Sequence, residues 1–202
     1  VSVVVDPGPQ DEGHLNVLNT KATDGGAEIG AVLLTHRHHD HADGAQRFRQ
    51  LTGVEVRAFD ERYCIGGEPL EDGEVIAVDG VTPRIKVVHT PGHTRDSVSF
   101  YIYSGDPESS ELEGIVTGDT IAGRHTTMIS ETDGDLGAYL ESLAKLEEEG
   151  TGITLLPGVG DWLARLHAEG WGQAIATAAP RANLEAIVAA RREQGEFRSI
   201  YR

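Results

Sequence analysis

The apolar run Ile29–Thr35 (IGAVLLT) passes without a spacer into HRHHDHADG, residues 36–44, and this junction constrains the fold more than any other stretch. A run so rich in aliphatic and β-branched residues reads as a buried strand. The loop behind it packs four histidines and two aspartates into nine positions. A sheet must therefore deliver this loop to one of its edges. In extended backbone, residues two apart point the same way, so His36 and His38 converge on one point. Asp40 and His41 lie a step further on, able to face a second. Imidazole and carboxylate are the donors that zinc, iron and manganese use. A polar turn with incidental histidines is the alternative; four candidate ligands at this spacing make it the poorer account.

Two later signals complete the set. His93 sits in HTPGHTRDSV, 52 residues after His41, and Asp119 sits in IVTGDT, 26 residues after His93. Both fall where a strand-like run gives way to a loop, the usual place for functional groups. The spacing predicts a site for two ions. His36, His38 and His93 hold one, Asp40 and His41 hold the second, and Asp119 bridges them.

Strand-like and helix-like runs alternate around these motifs. Strands are expected at Val1–Val5, Ile29–Thr35, Val54–Phe59, Glu74–Val78, Arg84–His89, Val98–Tyr103, Gly114–Thr117 and Thr151–Leu156. Helices are expected at Ala42–Leu51, closed by Gly53, and at Asp135–Glu149, with Asp135 as cap and Gly150 as stop. Two covering helices are expected at Asp161–Glu169 and Pro180–Gln194. The apolar start VSVVVDPGP needs strand neighbours, and one is expected upstream of Val1.

A chain of 202 residues suffices for one domain with a real core. With 17 basic and 33 acidic residues the net charge is −16, a field that repels phosphate backbones and disfavours nucleic acid as partner. Membrane spanning needs about 18 consecutive apolar residues, and none occur. The single cysteine, Cys64, allows no internal disulfide; it reads as a packing residue and fits a reducing, cytoplasmic setting.

Together, H-x-H-x-D-H, TPGHT and TGDT resemble the metallo-β-lactamase superfamily, closer to its hydroxyacylglutathione hydrolase and lactamase-B-like branches than to its antibiotic-destroying enzymes. DPGP at 6–9 and GRHTT at 123–127 are similar to the same family. The resemblance runs from Val1 to about Gly160. It implies an α/β (α+β) fold, an αββα sandwich with the metals at one edge, over residues 1–160, with 161–202 as a tail packed on it. It implies a hydrolase of small-molecule thioesters, esters or lactones that uses a metal-bound hydroxide, loaded with zinc, iron or manganese, with Asp40 orienting the nucleophile. Asp6 and His89 recur beside the sites of such proteins and are candidates to support the ligands, His89 foremost; His14 is a weaker one. Thr90, Thr94 and Ser97 are expected to shape the His93 loop.

One position departs from the family. Its ligand series ends in a histidine within PGHG; here the stretch is LLPGVG, residues 155–160, and Val159 holds the histidine's place. Valine cannot ligate, so the second ion is expected to bind more weakly. His125, six residues after Asp119, is the candidate to compensate, with an exposed loop histidine as the plainer reading. Residues 156–190 also resemble a segment of haloacid-dehalogenase-like phosphatases, with Thr177 in the place of a phosphate-contacting hydroxyl. The D-x-D-G-T nucleophile motif of those enzymes is missing, so phosphatase chemistry is not expected. Two other readings remain. One is a metal-binding scaffold that has lost turnover together with its last ligand. The other is an endoribonuclease of the lactamase-B-like branch, which the net charge disfavours.

Overall fold

The structure is a computed structural model and describes residues 1–80, 83–122, 126–130 and 132–149. Two sheets form. One is parallel, with β1 (Ser2–Val5), β2 (Ile29–Leu33) and β3 (Val56–Arg57) in that order. The other is antiparallel, with β4 (Val75–Ile76), β5 (Arg84–His89), β6 (Val98–Tyr103) and β7 (Leu112–Val116) in that order. Helices are α1 (Glu12–Ala22), α2 (His39–Ala42), α3 (Ala45–Thr52) and α4 (Leu136–Glu149).

The alternation of side chains along the strands produces the layers. In the parallel sheet, Val3, Val5, Ala31 and Leu33 face a core shared with Ile76, Ile85, Val87, Val98 and Phe100 of the antiparallel sheet. Their neighbours Val4, Val32 and Leu34 face the other way, against Leu15 of α1 and Phe48 of α3. In the antiparallel sheet, Val88 and Tyr101 turn outward to Leu146 of α4. Both sheets are thus buried on two faces, with helices outside: the αββα sandwich that the motifs imply. It also explains why β2, and β1 beyond Ser2, are apolar.

β5 and β6 span the expected residues, paired His89 with Val98 and Val87 with Phe100. Other boundaries move. The strands at 54–59 and 74–78 shorten to two residues each, and Gly114–Thr117 becomes Leu112–Val116. The helix expected at Ala42–Leu51 is two helices, interrupted at Asp43 and Gly44. Gly44 donates to Gly8 O at 2.8 Å, and a Cβ there would sit 2.8 Å from that same oxygen. The chain crosses itself at this point, and the helix gives way. α1 is an addition, capped by Asp11, which accepts from His14 N at 2.7 Å. Asp135 caps α4 as expected, accepting from Ala138 N at 2.8 Å.

No helix among the described residues is long and apolar enough to cross a membrane. The boundary at 160/161, the strand Thr151–Leu156, the helices Asp161–Glu169 and Pro180–Gln194, and His125, Gly150, Val159 and Thr177 lie outside the described residues.

Candidate metal centre

The carboxyl ends of β1, β2, β5 and β7 release the loops that carry Asp6, His36–His41, His93 and Asp119. Backbone contacts bring these loops to one rim: Val98 N donates to Thr35 O at 2.9 Å, joining the sheets beside His36. Two glycines permit the close approach. Gly118, at φ 50°, lies where a Cβ would meet Thr35 Oγ1 at 2.6 Å, which draws Asp119 against the histidine loop. Gly92, at φ 137°, lies where a Cβ would meet Tyr139 Cα at 2.3 Å, which seats the His93 loop on α4.

Four imidazoles gather there. The His36 ring lies 4.8 Å from His38, 4.1 Å from His41 and 4.9 Å from His93, centroid to centroid. Two groups of ligand atoms each fall within 4.8 Å of one another: His36, His38 and His93; and His36, His41 and Asp119. Asp119 reaches both sides, with Oδ1 3.4 Å from His41 Nε2 and Oδ2 3.7 Å from His93 Nε2. Asp40 stands outside both groups, its side chain 61% exposed and its Oδ2 3.8 Å from His41 Nε2.

The hydrogen bonds behind the rings fix their protons. Asp6 can only accept, so Thr35 Oγ1, 2.6 Å from Asp6 Oδ2, must donate to it. Thr35 Oγ1 is then free to accept from His36 Nδ1 at 3.0 Å, which leaves the lone pair of His36 on Nε2. His41 Nδ1 donates to Asp6 Oδ2 at 2.8 Å, and His93 Nδ1 donates to the Met128 carbonyl at 2.6 Å. Three lone pairs therefore point inward. His36 Nε2 is buried with no hydrogen-bond partner among the described residues, a costly state for a polar atom that a cation relieves. His41 Nε2 and Asp119 Oδ1 face each other as two acceptors and also call for a positive charge between them. The donor set fits a divalent metal with nitrogen and oxygen preference, and the groups behind the rings are those that fix tautomer and orientation in metal sites.

Asp6 adopts φ 51°, a conformation rare outside glycine. Its carboxylate collects Thr35 N at 2.7 Å, Thr35 Oγ1 and His41 Nδ1, and these bonds hold the strained residue in place. His89 sits elsewhere, stacked on Phe59 at 4.2 Å with Nε2 2.9 Å from Arg95 O. Thr90, Thr94 and Ser97 do brace the His93 loop: Thr90 N donates to Ser97 O at 2.9 Å, and the Thr94 and Ser97 hydroxyls are 2.7 Å apart. His14 Nε2 reaches Pro7 O at 3.0 Å.

Burial, reinforced by His41, His93 and His38, pushes the pKa of His36 down to about 2. His38 is lowered too, by burial and then by His93. For His41 burial opposes the charge, but the hydrogen bond and charge of Asp6, with Asp119 and Asp40, outweigh it and raise the pKa. In the metal-free protein these shifts have opposite consequences. The unfolded chain takes up protons at His36 and His38 near pH 6.5 and the folded form only at lower pH, so stability is lost as pH falls below that value. His41 contributes stability that is complete below pH 6.5 and fades as pH rises through its raised value. The buried His36 dominates. Urea denaturation of metal-free protein is expected to give roughly 1–2 kcal/mol less stability at pH 5 than at pH 7.

The sequence profile of the metallo-beta-lactamase superfamily matches residues 2–178. An atrochrysone carboxyl ACP thioesterase from Aspergillus fumigatus is 35% identical over 136 residues, covering 65% of this chain and 38% of that protein. A hydroxyacylglutathione hydrolase from Methylobacillus flagellatus is 30% identical over 149 residues, covering 72% of this chain and 53% of that protein. The chain spans about half the length, or less, of the curated relatives it matches. Among solved structures, a metallo-beta-lactamase family protein from Thermus thermophilus superposes with a TM-score of 0.60 at 20% identity, covering 92% of this chain and 73% of that one. This last likeness concerns the fold.

Proposed function

The chain belongs to the metallo-beta-lactamase superfamily, and from that premise we propose that it is a metal-dependent hydrolase of thioesters. One observation carries the reading: His36 Nε2, buried and unpartnered, sits where the inward lone pairs of His93 and His41 and the carboxylate of Asp119 converge. Relatives named as a thioesterase and a hydroxyacylglutathione hydrolase support thioesters above esters, lactones and other electrophiles. Zinc is the metal we expect, with iron and manganese as chemically admissible alternatives.

When bound, the metal supplies Lewis acidity: it polarises a carbonyl and lowers the pKa of water so that hydroxide forms near neutral pH. The chain's own residues do the rest. His36, His38 and His93 would hold one ion, and His41 and Asp119 would supply donors for a second. Asp6 keeps the His41 lone pair turned inward. Asp40, exposed beside His41, is placed to orient the attacking water and take its proton. Water adds to the thioester carbonyl, the carbon–sulfur bond breaks, and the thiolate leaves and is protonated. No serine or cysteine nucleophile takes part. A small-molecule substrate suits the site; the charge of −16 disfavours RNA, and the lone Cys64 suits a reducing, cytoplasmic compartment. The test is hydrolysis of an acyl N-acetylcysteamine thioester by zinc-loaded protein. We expect turnover that a chelator abolishes and zinc restores; absence of turnover at full metal occupancy overturns the proposal.

Val159 favours a second reading, a metal-binding scaffold with little turnover, because it stands where the family places its last histidine. Val159→His separates the two. An impaired enzyme is expected to rise from one ion to two and gain roughly tenfold or more in rate. Two ions and full activity without the change would place the last ligand elsewhere in the chain.

A further inference from the structure

Arg37 lies between His36 and His38, so in extended backbone its side chain leaves on the side opposite to theirs. There it meets carboxylates from two other loops. Nη2 is 2.5 Å from Asp133 Oδ2, and Nε is 3.7 Å from Asp96 Oδ1. The Tyr63 hydroxyl is a further acceptor. The Asp96 and Asp133 side chains are 8% and 14% exposed, and those two oxygens are buried without a hydrogen bond of good geometry. Two nearly buried carboxylates face this guanidinium, and buried carboxylates are costly without a cation beside them.

The placement of the partners gives the pairing its meaning. Asp96 is three residues beyond His93. Asp133 follows Met128, whose carbonyl takes the His93 Nδ1 proton at 2.6 Å, and precedes Asp135, whose N–H donates to Gly92 O at 2.9 Å. Both carboxylates are therefore fixed to the loop of His93, while Arg37 is fixed to the loop of His36 and His38. We propose that Arg37 is a positioning residue: it clamps these two loops together and so holds His38 Nδ1 and His93 Nε2, 2.9 Å apart, at the separation from which they converge on one ion. The clamp rests on the metal site proposed above. The guanidinium charge is spread over a plane whose Nε end lies toward Asp96 and whose Nη2 end lies against Asp133. A lysine ammonium is a point charge on a flexible stem and does not cover both.

The test is made on the whole chain. Zinc affinity is measured by competition with a chromophoric chelator, cobalt(II) loading by its visible spectrum, and metal-free unfolding in parallel. Arg37→Ala is expected to weaken zinc binding by about 10- to 100-fold and to alter the cobalt spectrum, in the range seen when groups behind metal ligands are removed. Arg37→Lys recovers part of the affinity and not all, and Asp133→Asn weakens binding in the same direction. If Arg37→Ala does not fold, the other two variants decide. Unchanged affinity and spectrum in Arg37→Lys and Asp133→Asn overturn the clamp, as does a loss of affinity matched by an equal loss of metal-free stability. Wild-type protein that binds neither zinc nor cobalt overturns the clamp and the metal site together. Tight binding without thioester turnover counts against the proposed reaction alone and leaves the clamp standing.

Discussion

His36→Ala abolishes metal retention and lowers thioester hydrolysis by about 10³-fold or more. His36 is the one residue common to both groups of candidate ligands, so its loss opens both. An effect of that size corresponds to roughly 4 kcal/mol of transition-state stabilisation, the scale on which Lewis acidity acts. Stability supplies an independent check. Zinc at a thousand times its dissociation constant should stabilise the wild-type fold by about 4 kcal/mol, and that increment should vanish in the variant. The metal-free proteins should differ far less, because alanine also removes a buried nitrogen with no partner. A variant that lost metal-free stability and kept its zinc-induced increment would show His36 to be a packing residue.

Asp119→Asn is expected to lower kcat/KM by about 10²-fold or more and to lower zinc content below that of the unaltered chain. The amide keeps the shape of the side chain and gives up its charge and one of its two acceptor oxygens. Those oxygens face different partners, His41 at 3.4 Å and His93 at 3.7 Å, so asparagine can serve one side at most. The metal-free protein reports the same loss. Asp119 is among the groups that raise the His41 pKa, after Asp6, so the His41 imidazole should titrate lower in the variant, followed by NMR. Unchanged zinc content and an unchanged His41 titration would remove Asp119 from the site.

Much of this candidate site is legible in the sequence because the proposed ligands obey local rules. His36 and His38 are two apart on an extended segment, and His41 begins the next turn, so their convergence follows from backbone geometry. His93 and Asp119 sit at strand ends that apolar periodicity marks, and the apolar runs of β1 and β2 announce a sheet buried on both faces. What is not legible depends on long-range contact. Nothing local breaks the helix at Asp43 and Gly44; the backbone of Gly8 does, by crossing it. α1 buries Leu15 against the sheet but spaces its apolar residues too thinly to signal a helix. Asp6 earned mention as a neighbour of the ligands, yet its part in setting the tautomers of both His36 and His41 appears only when Thr35 is seen beside it. Arg37 carries no signal in the sequence, since its partners lie 59 and 96 residues further along. His89 is a candidate support for the ligands only through the family resemblance, and its ring stacks on Phe59 instead.

Diffraction from zinc-loaded crystals on either side of the zinc absorption edge shows whether these side chains bind metal. An anomalous peak is expected about 2.0–2.1 Å from His36 Nε2, His38 Nδ1 and His93 Nε2, with a second, weaker peak beside His41 Nε2 and Asp119. Histidine rings resolved in this arrangement with no anomalous density among them, from protein crystallised in excess zinc, would contradict metal binding by these residues.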